Sequence, residues 1–123
     1  MLDSNRYILD GHTPVREDDL MAWARWMQTA DRHVALTEHE LFTVSTVFLG
    51  LDHSFGHGPP LLFESMAFDR MPHIDGLAIQ VGKALDDECE RYSTWNKAEI
   101  GHKAMVERML AIAREAAALG IRP

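Results

Sequence analysis

The sequence predicts an α+β domain: a meander of three to four antiparallel strands, with an N-terminal helix and a long C-terminal helix packed on one face. Three observations carry that expectation. Residues 42–68, FTVSTVFLGLDHSFGHGPPLLFESMAF, place two β-branched and aromatic segments around a loop rich in Gly, Pro and His. Residues 18–32 repeat apolar side chains at helical spacing. Residues 98–116 do so over a longer run, so the order is helix, strands, helix.

Taken in order, Tyr7-Ile8-Leu9 is a short apolar segment ended by the turn dipeptide Asp10-Gly11. Glu17-Asp18-Asp19 then puts acid where a helix N-terminus favours it. Leu20, Trp23, Ala24, Met27 and Ala30 give the apolar stripe of a first helix over residues 18–32. His33 to Glu38 reads as a strand, His39-Glu40 as its turn, and Leu41 to Leu49 as the next strand. Phe42, Val44, Thr46 and Phe48 share one face of it; Leu41, Thr43, Ser45, Val47 and Leu49 share the other. Both faces are partly apolar, which predicts a central strand, with Leu61 to Phe68 beside it.

Gly76 and Gly82 predict an irregular excursion over residues 69–87, with a helical turn possible at 77–85. Glu88 to Ser93 reads as the last strand, and Thr94 or Asn96 as the cap of the final helix. Asn96 and Glu99 have the spacing of a capping box. Ala98, His102, Met105, Val106, Met109, Ile112, Ala113 and Ala116 form the stripe of that long helix, closed by Gly120 at its C-cap.

Length and composition set bounds on function. The 123 residues fit a single domain, 1–123, with 46% hydrophobic and 25% charged residues. A net charge of −7 argues against duplex nucleic acid, which needs a basic surface. The single cysteine, Cys89, allows no intrachain disulfide and points to a reducing compartment. The start, MLDSNRYILDG, has neither the basic nor the apolar region of a signal peptide. No run approaches the about 18 apolar residues of a spanning helix. The expected setting is cytoplasmic, away from membranes.

Candidate functional residues fall in three places. The loop 50–60 is longer than a common hairpin connection, which marks it as functional, with His53, Phe55 and His57 as its ligand-binding candidates. His53, His57 and Asp52 also permit an alternative reading, a small metal-dependent hydrolase, although HExxH spacing is absent and no metal or cofactor is implied. Arg91, Tyr92 and Trp95 bring a guanidinium and two aromatic rings to the last strand-to-helix junction, a combination suited to a flat, anionic, nucleotide-like ligand. His102 sits on the apolar helix stripe, either as a core histidine with satisfied nitrogens or as a proton carrier or ligand group beside a pocket. Catalytic patterns are lacking: Cys89 lies in an acidic run that disfavours a thiolate, and no serine has a nucleophile elbow. The Met105/Met109 stripe is longer than one small sheet should cover, which predicts a homodimer or larger oligomer.

The segments YILDGHTPV, DLMAWARWMQTADRHVA, VSTVFLGLDHSFGHGPPLLFESMAF and ERYSTWNKAEIGHKAMV resemble a widespread group of short phage and prophage accessory proteins. STVFLGLDHSF and PPLLFE are the most specific part, and residues 69–87 depart from the pattern. The resemblance implies a non-catalytic anti-defence factor in the host cytoplasm. Such a factor binds a defence effector, as anti-CRISPR proteins do, or holds a nucleotide immune signal, as anti-Thoeris sponges do. A regulatory or structural phage protein that pairs with another polypeptide is the remaining reading.

Overall fold

The computed structural model describes residues 5–70 and 89–120. The chain opens with a hairpin, β1 (Tyr7–Asp10) and β2 (Thr13–Arg16), turned tightly at Gly11-His12. Sequence reading finds the turn and misses the second strand. Pro14 fits there because a two-stranded sheet has only edge strands, where a missing N–H costs no ladder bond. The hairpin joins the rest of the molecule through Tyr7 N–H to the Gly50 carbonyl at 2.8 Å and Asp52 N–H to the Asn5 carbonyl at 2.9 Å.

Helix α1 (Leu20–Thr29) starts at Asp19, whose carboxylate accepts from the Met21 and Ala22 amides. It ends three residues before the expected position 32. The Asp31 carboxylate accepts from His33 N–H at 3.0 Å, and the Arg32 carbonyl accepts from Phe48 N–H, so the chain is already extended there.

Strands β3 (His33–Glu38), β4 (Phe42–Phe48), β5 (Phe63–Asp69) and β6 (Cys89–Tyr92) form an antiparallel sheet in chain order, the expected meander. Helix α2 (Trp95–Ala118) then crosses one face. Thr94 is its cap, accepting from Lys97 N–H at 3.1 Å. The Asn96–Glu99 capping box does not form; the Glu99 carboxylate instead accepts from the Trp95 indole N–H. The expected excursion over 69–87 lies almost wholly outside the described residues.

Alternation decides which side chains meet α2. Phe42, Val44, Thr46 and Phe48 of β4 point toward the helix and are buried, joined by Phe63, Ser65 and Ala67 of β5. From the helix come Ala98, His102, Met105, Met109, Ala113 and Ala116, spaced three and four apart and all buried. The stripe is therefore covered within one copy of the chain, so its length supplies no argument for a dimer. Met105 and Met109 are wholly buried core residues. Trp26 of α1 meets Phe48 edge-on at 5.7 Å and closes the same layer at one end. Among the described residues no helix is long and apolar enough to cross a membrane.

Candidate functional site

The loop 49–62 is folded upon itself. Leu49 N–H donates to the Leu62 carbonyl, His53 N–H to that of Leu61, and His57 N–H to that of Ser54. One oxygen of Asp52 accepts from both Ser54 N–H at 2.8 Å and Leu61 N–H at 3.0 Å, tying the loop's two ends together. Burial pushes that carboxyl upward, but the hydrogen bonds from Ser54 and Leu61 outweigh it and hold it below the usual range. At the tip Phe55 is 82% exposed with φ at +54°. A left-handed backbone costs a non-glycine residue about 1–2 kcal/mol. His53 is half-buried and His57 exposed, and no metal-holding group of three His, Cys, Asp or Glu exists among the described residues. Asp52, the third member of the hydrolase reading, is committed to the loop's backbone.

Arg91, Tyr92 and Trp95 do not converge. Successive strand residues point to opposite faces, so Arg91 leaves the helix side and pairs with Glu64 at 2.9 Å. Arg91→Ala should cost about 1–3 kcal/mol in denaturant melts, because Arg91 is 41% exposed but the Glu64 carboxylate left without it only 15%; an unchanged melt would show that the pair contributes nothing to the fold. Tyr92 turns inward and lays its ring against Gly101 of α2. Burial raises its phenol. Cys89, on the Arg91 side of the strand, has its thiol pushed up first by burial and then by Glu64. Trp95 alone opens onto a surface cleft of about 290 Å³, lined by His12, Thr13, Pro14, Thr94, Trp95 and Asn96. The His12 ring lies parallel to the indole at 3.7 Å, held there by the hairpin turn.

His102 is a core histidine with both nitrogens satisfied. Its Nδ1 lies 2.8 Å from the Thr46 hydroxyl and its Nε2 2.8 Å from that of Thr37. Thr46 continues the chain to the Ser65 hydroxyl, so β3, β4 and β5 are bridged under the helix. Burial lowers the imidazole's affinity for a second proton. With 5% of its surface exposed, it lies within the core beneath the helix.

The surface that sequence reading misses is the other face of the sheet. Register places Leu36, Ser45, Met66 and Cys89 in one row across β3 to β6, and Glu38, Thr43 and Phe68 in the next. Leu36 is 53%, Met66 36% and Phe68 49% exposed. The signal is present in FESMAFD, where apolar residues fall on both faces of a strand of which, among the described residues, helix covers only one. Compared with known proteins, the chain matches no family model, no curated protein and no solved structure.

Proposed function

We propose that this chain is a non-catalytic binding protein that holds a protein target stoichiometrically on the open face of its four-stranded sheet. One observation supports it above the others: Leu36, Met66 and Phe68 stand exposed in adjacent rows of a regular sheet. Exposed apolar side chains gathered on one sheet face are characteristic of protein contact sites. Glu38 and the Arg91–Glu64 pair lie on the same face and supply a polar rim. A nucleotide signal is the weaker choice of target, because Arg91 is turned away from Trp95 and paired with a carboxylate. That the target is a host defence effector, and the setting the host cytoplasm, rests on the resemblance of STVFLGLDHSF and PPLLFE to phage and prophage accessory proteins.

The test is phage plating on bacteria that carry a CRISPR effector or a nucleotide-signalling defence and express this protein. Restored plating is expected against at least one system. Phe68→Glu should return plating to the level without the protein while leaving the circular dichroism spectrum unchanged, since a buried interface anchor is worth about 2 kcal/mol or more. Full activity in the Phe68→Glu protein would remove the open face from the mechanism. No protection against any defence tested would remove the anti-defence role.

A further inference from the structure

We propose that the protein forms a two-fold dimer in which Phe55 of each copy enters the His12/Trp95 cleft of the other. The inference is separate from the function proposed above, since it uses the end of the sheet and leaves its open face free.

Knob and cleft occur on the same chain without meeting. Phe55 is the most exposed large apolar side chain described, and the bonds from Asp52 to both ends of its loop hold it in place. The cleft, at about 290 Å³, exceeds the roughly 150 Å³ that suffices for benzene. Its walls suit a phenyl ring: the indole of Trp95 and the pyrrolidine of Pro14, with Thr13 at the rim. His12 already covers one indole face, so an incoming phenyl ring meets the exposed edge of the His12–Trp95 stack beside Pro14.

Topology makes the contact reciprocal. The loop leaves β4 after Phe48 and rejoins the sheet at Phe63, whose partner across the sheet is Tyr92. Trp95 follows Tyr92 by three residues, and the hairpin that carries His12 is bonded to Gly50. Knob and cleft thus belong to one end of the sheet. A two-fold axis through that end satisfies both contacts at once, whereas a knob and cleft at opposite ends would build an open chain.

Charge permits the approach. Each copy carries a net charge of −7, which opposes self-association. Residues 53–62, HSFGHGPPLL, contain no Asp, Glu, Lys or Arg, so the knob itself brings no like charge to the contact. Area sets the strength. Two phenylalanine side chains bury about 150–250 Å² each, against about 1,600 Å² for a standard interface, so this is a weak, concentration-dependent dimer.

Sedimentation velocity from low micromolar to submillimolar concentration tests it. The protein should pass from monomer to dimer across that range. Phe55→Ala, at an exposed site, should raise the dissociation constant about thirtyfold or more. Thr13→Arg, which puts a guanidinium across the rim, should do the same, with circular dichroism confirming that both variants fold. Phe68→Glu, on the open face, should dimerise like the unmodified protein. A chain that stays monomeric throughout, or a dimer that survives either Phe55→Ala or Thr13→Arg, overturns the proposal. Loss of the dimer in Phe68→Glu overturns it as well, by moving the interface to the open face.

Discussion

Replacing His102 with alanine should cost about 2–4 kcal/mol, a large loss for one polar side chain. Truncation leaves a cavity where the ring stood and takes one partner from each of two hydroxyls: Thr46 keeps Ser65, and Thr37 is only half-buried. The two lost hydrogen bonds and the cavity add together in that cost. The same geometry makes the fold sensitive to acid. A neutral imidazole donates from one nitrogen and accepts at the other, which matches two hydroxyl partners. A second proton turns both nitrogens into donors in a site where burial disfavours charge, so the folded pKa lies below the ordinary one. The unfolded chain therefore binds more protons than the folded chain as pH falls below about 6.5. Stability is complete above that pH and declines beneath it, by at most about 1.4 kcal/mol per pH unit from this group. Urea melts at several pH values between neutrality and pH 5 would show the decline and its loss in His102→Ala. A melt independent of pH in the parent, or a loss below about 1 kcal/mol in the variant, would contradict this account.

Gly101→Ala should destabilise the protein by about 1–3 kcal/mol, although it sits inside a helix where alanine is normally favoured by about 1 kcal/mol. The reversal of sign comes from Tyr92. Its ring rests on the helix backbone at Gly101, and an added Cβ would run into Cε1, Cζ and the hydroxyl oxygen, so the whole half-buried ring would have to swing off the helix. Removing the obstacle should restore the ordinary order. In a Tyr92→Ala background, itself less stable, Gly101→Ala should raise the denaturation midpoint. A double-mutant cycle measures the coupling, and a Gly101→Ala protein more stable than its parent would show that the ring is free to move.

The parts of the fold legible in the sequence are those governed by local rules. His33 to Glu38 reads as a strand with the boundaries observed, because the stripe of the first helix ends before it and the His39-Glu40 turn follows it. The long helix is legible from its stripe and from Gly120, whose φ of +87° places it just beyond the helix end. The second hairpin strand, TPVR, has little apolar content and a proline, so nothing in its own sequence announces it. It pairs with β1, and the chain there is in turn bonded to residues 50–52, more than forty positions on. The site is obscured for a different reason. Arg91, Tyr92 and Trp95 form a group only by nearness in sequence, although the period of two in a strand already sends Arg91 and Tyr92 to opposite faces. Spacing alone places His102 on the buried stripe. Its partners, 65 and 56 residues away, depend on the register of three strands that no local pattern specifies.

The meander also fixes an order of events. Three residues, 39–41, separate β3 from β4, against fourteen, 49–62, between β4 and β5. Closing the longer connection costs about 1.3 kcal/mol more in chain entropy, so the β3–β4 pair is the natural nucleus and β5 joins a template already formed. The clamp of His102 on Thr37 spans 65 residues and closes only when the last helix arrives. Contacts made after the rate-limiting barrier govern how fast a protein comes apart and leave its folding rate nearly unchanged. His102→Ala is therefore expected to speed unfolding more than it slows refolding, the mark of a latch on the finished structure, which stopped-flow kinetics in urea would show.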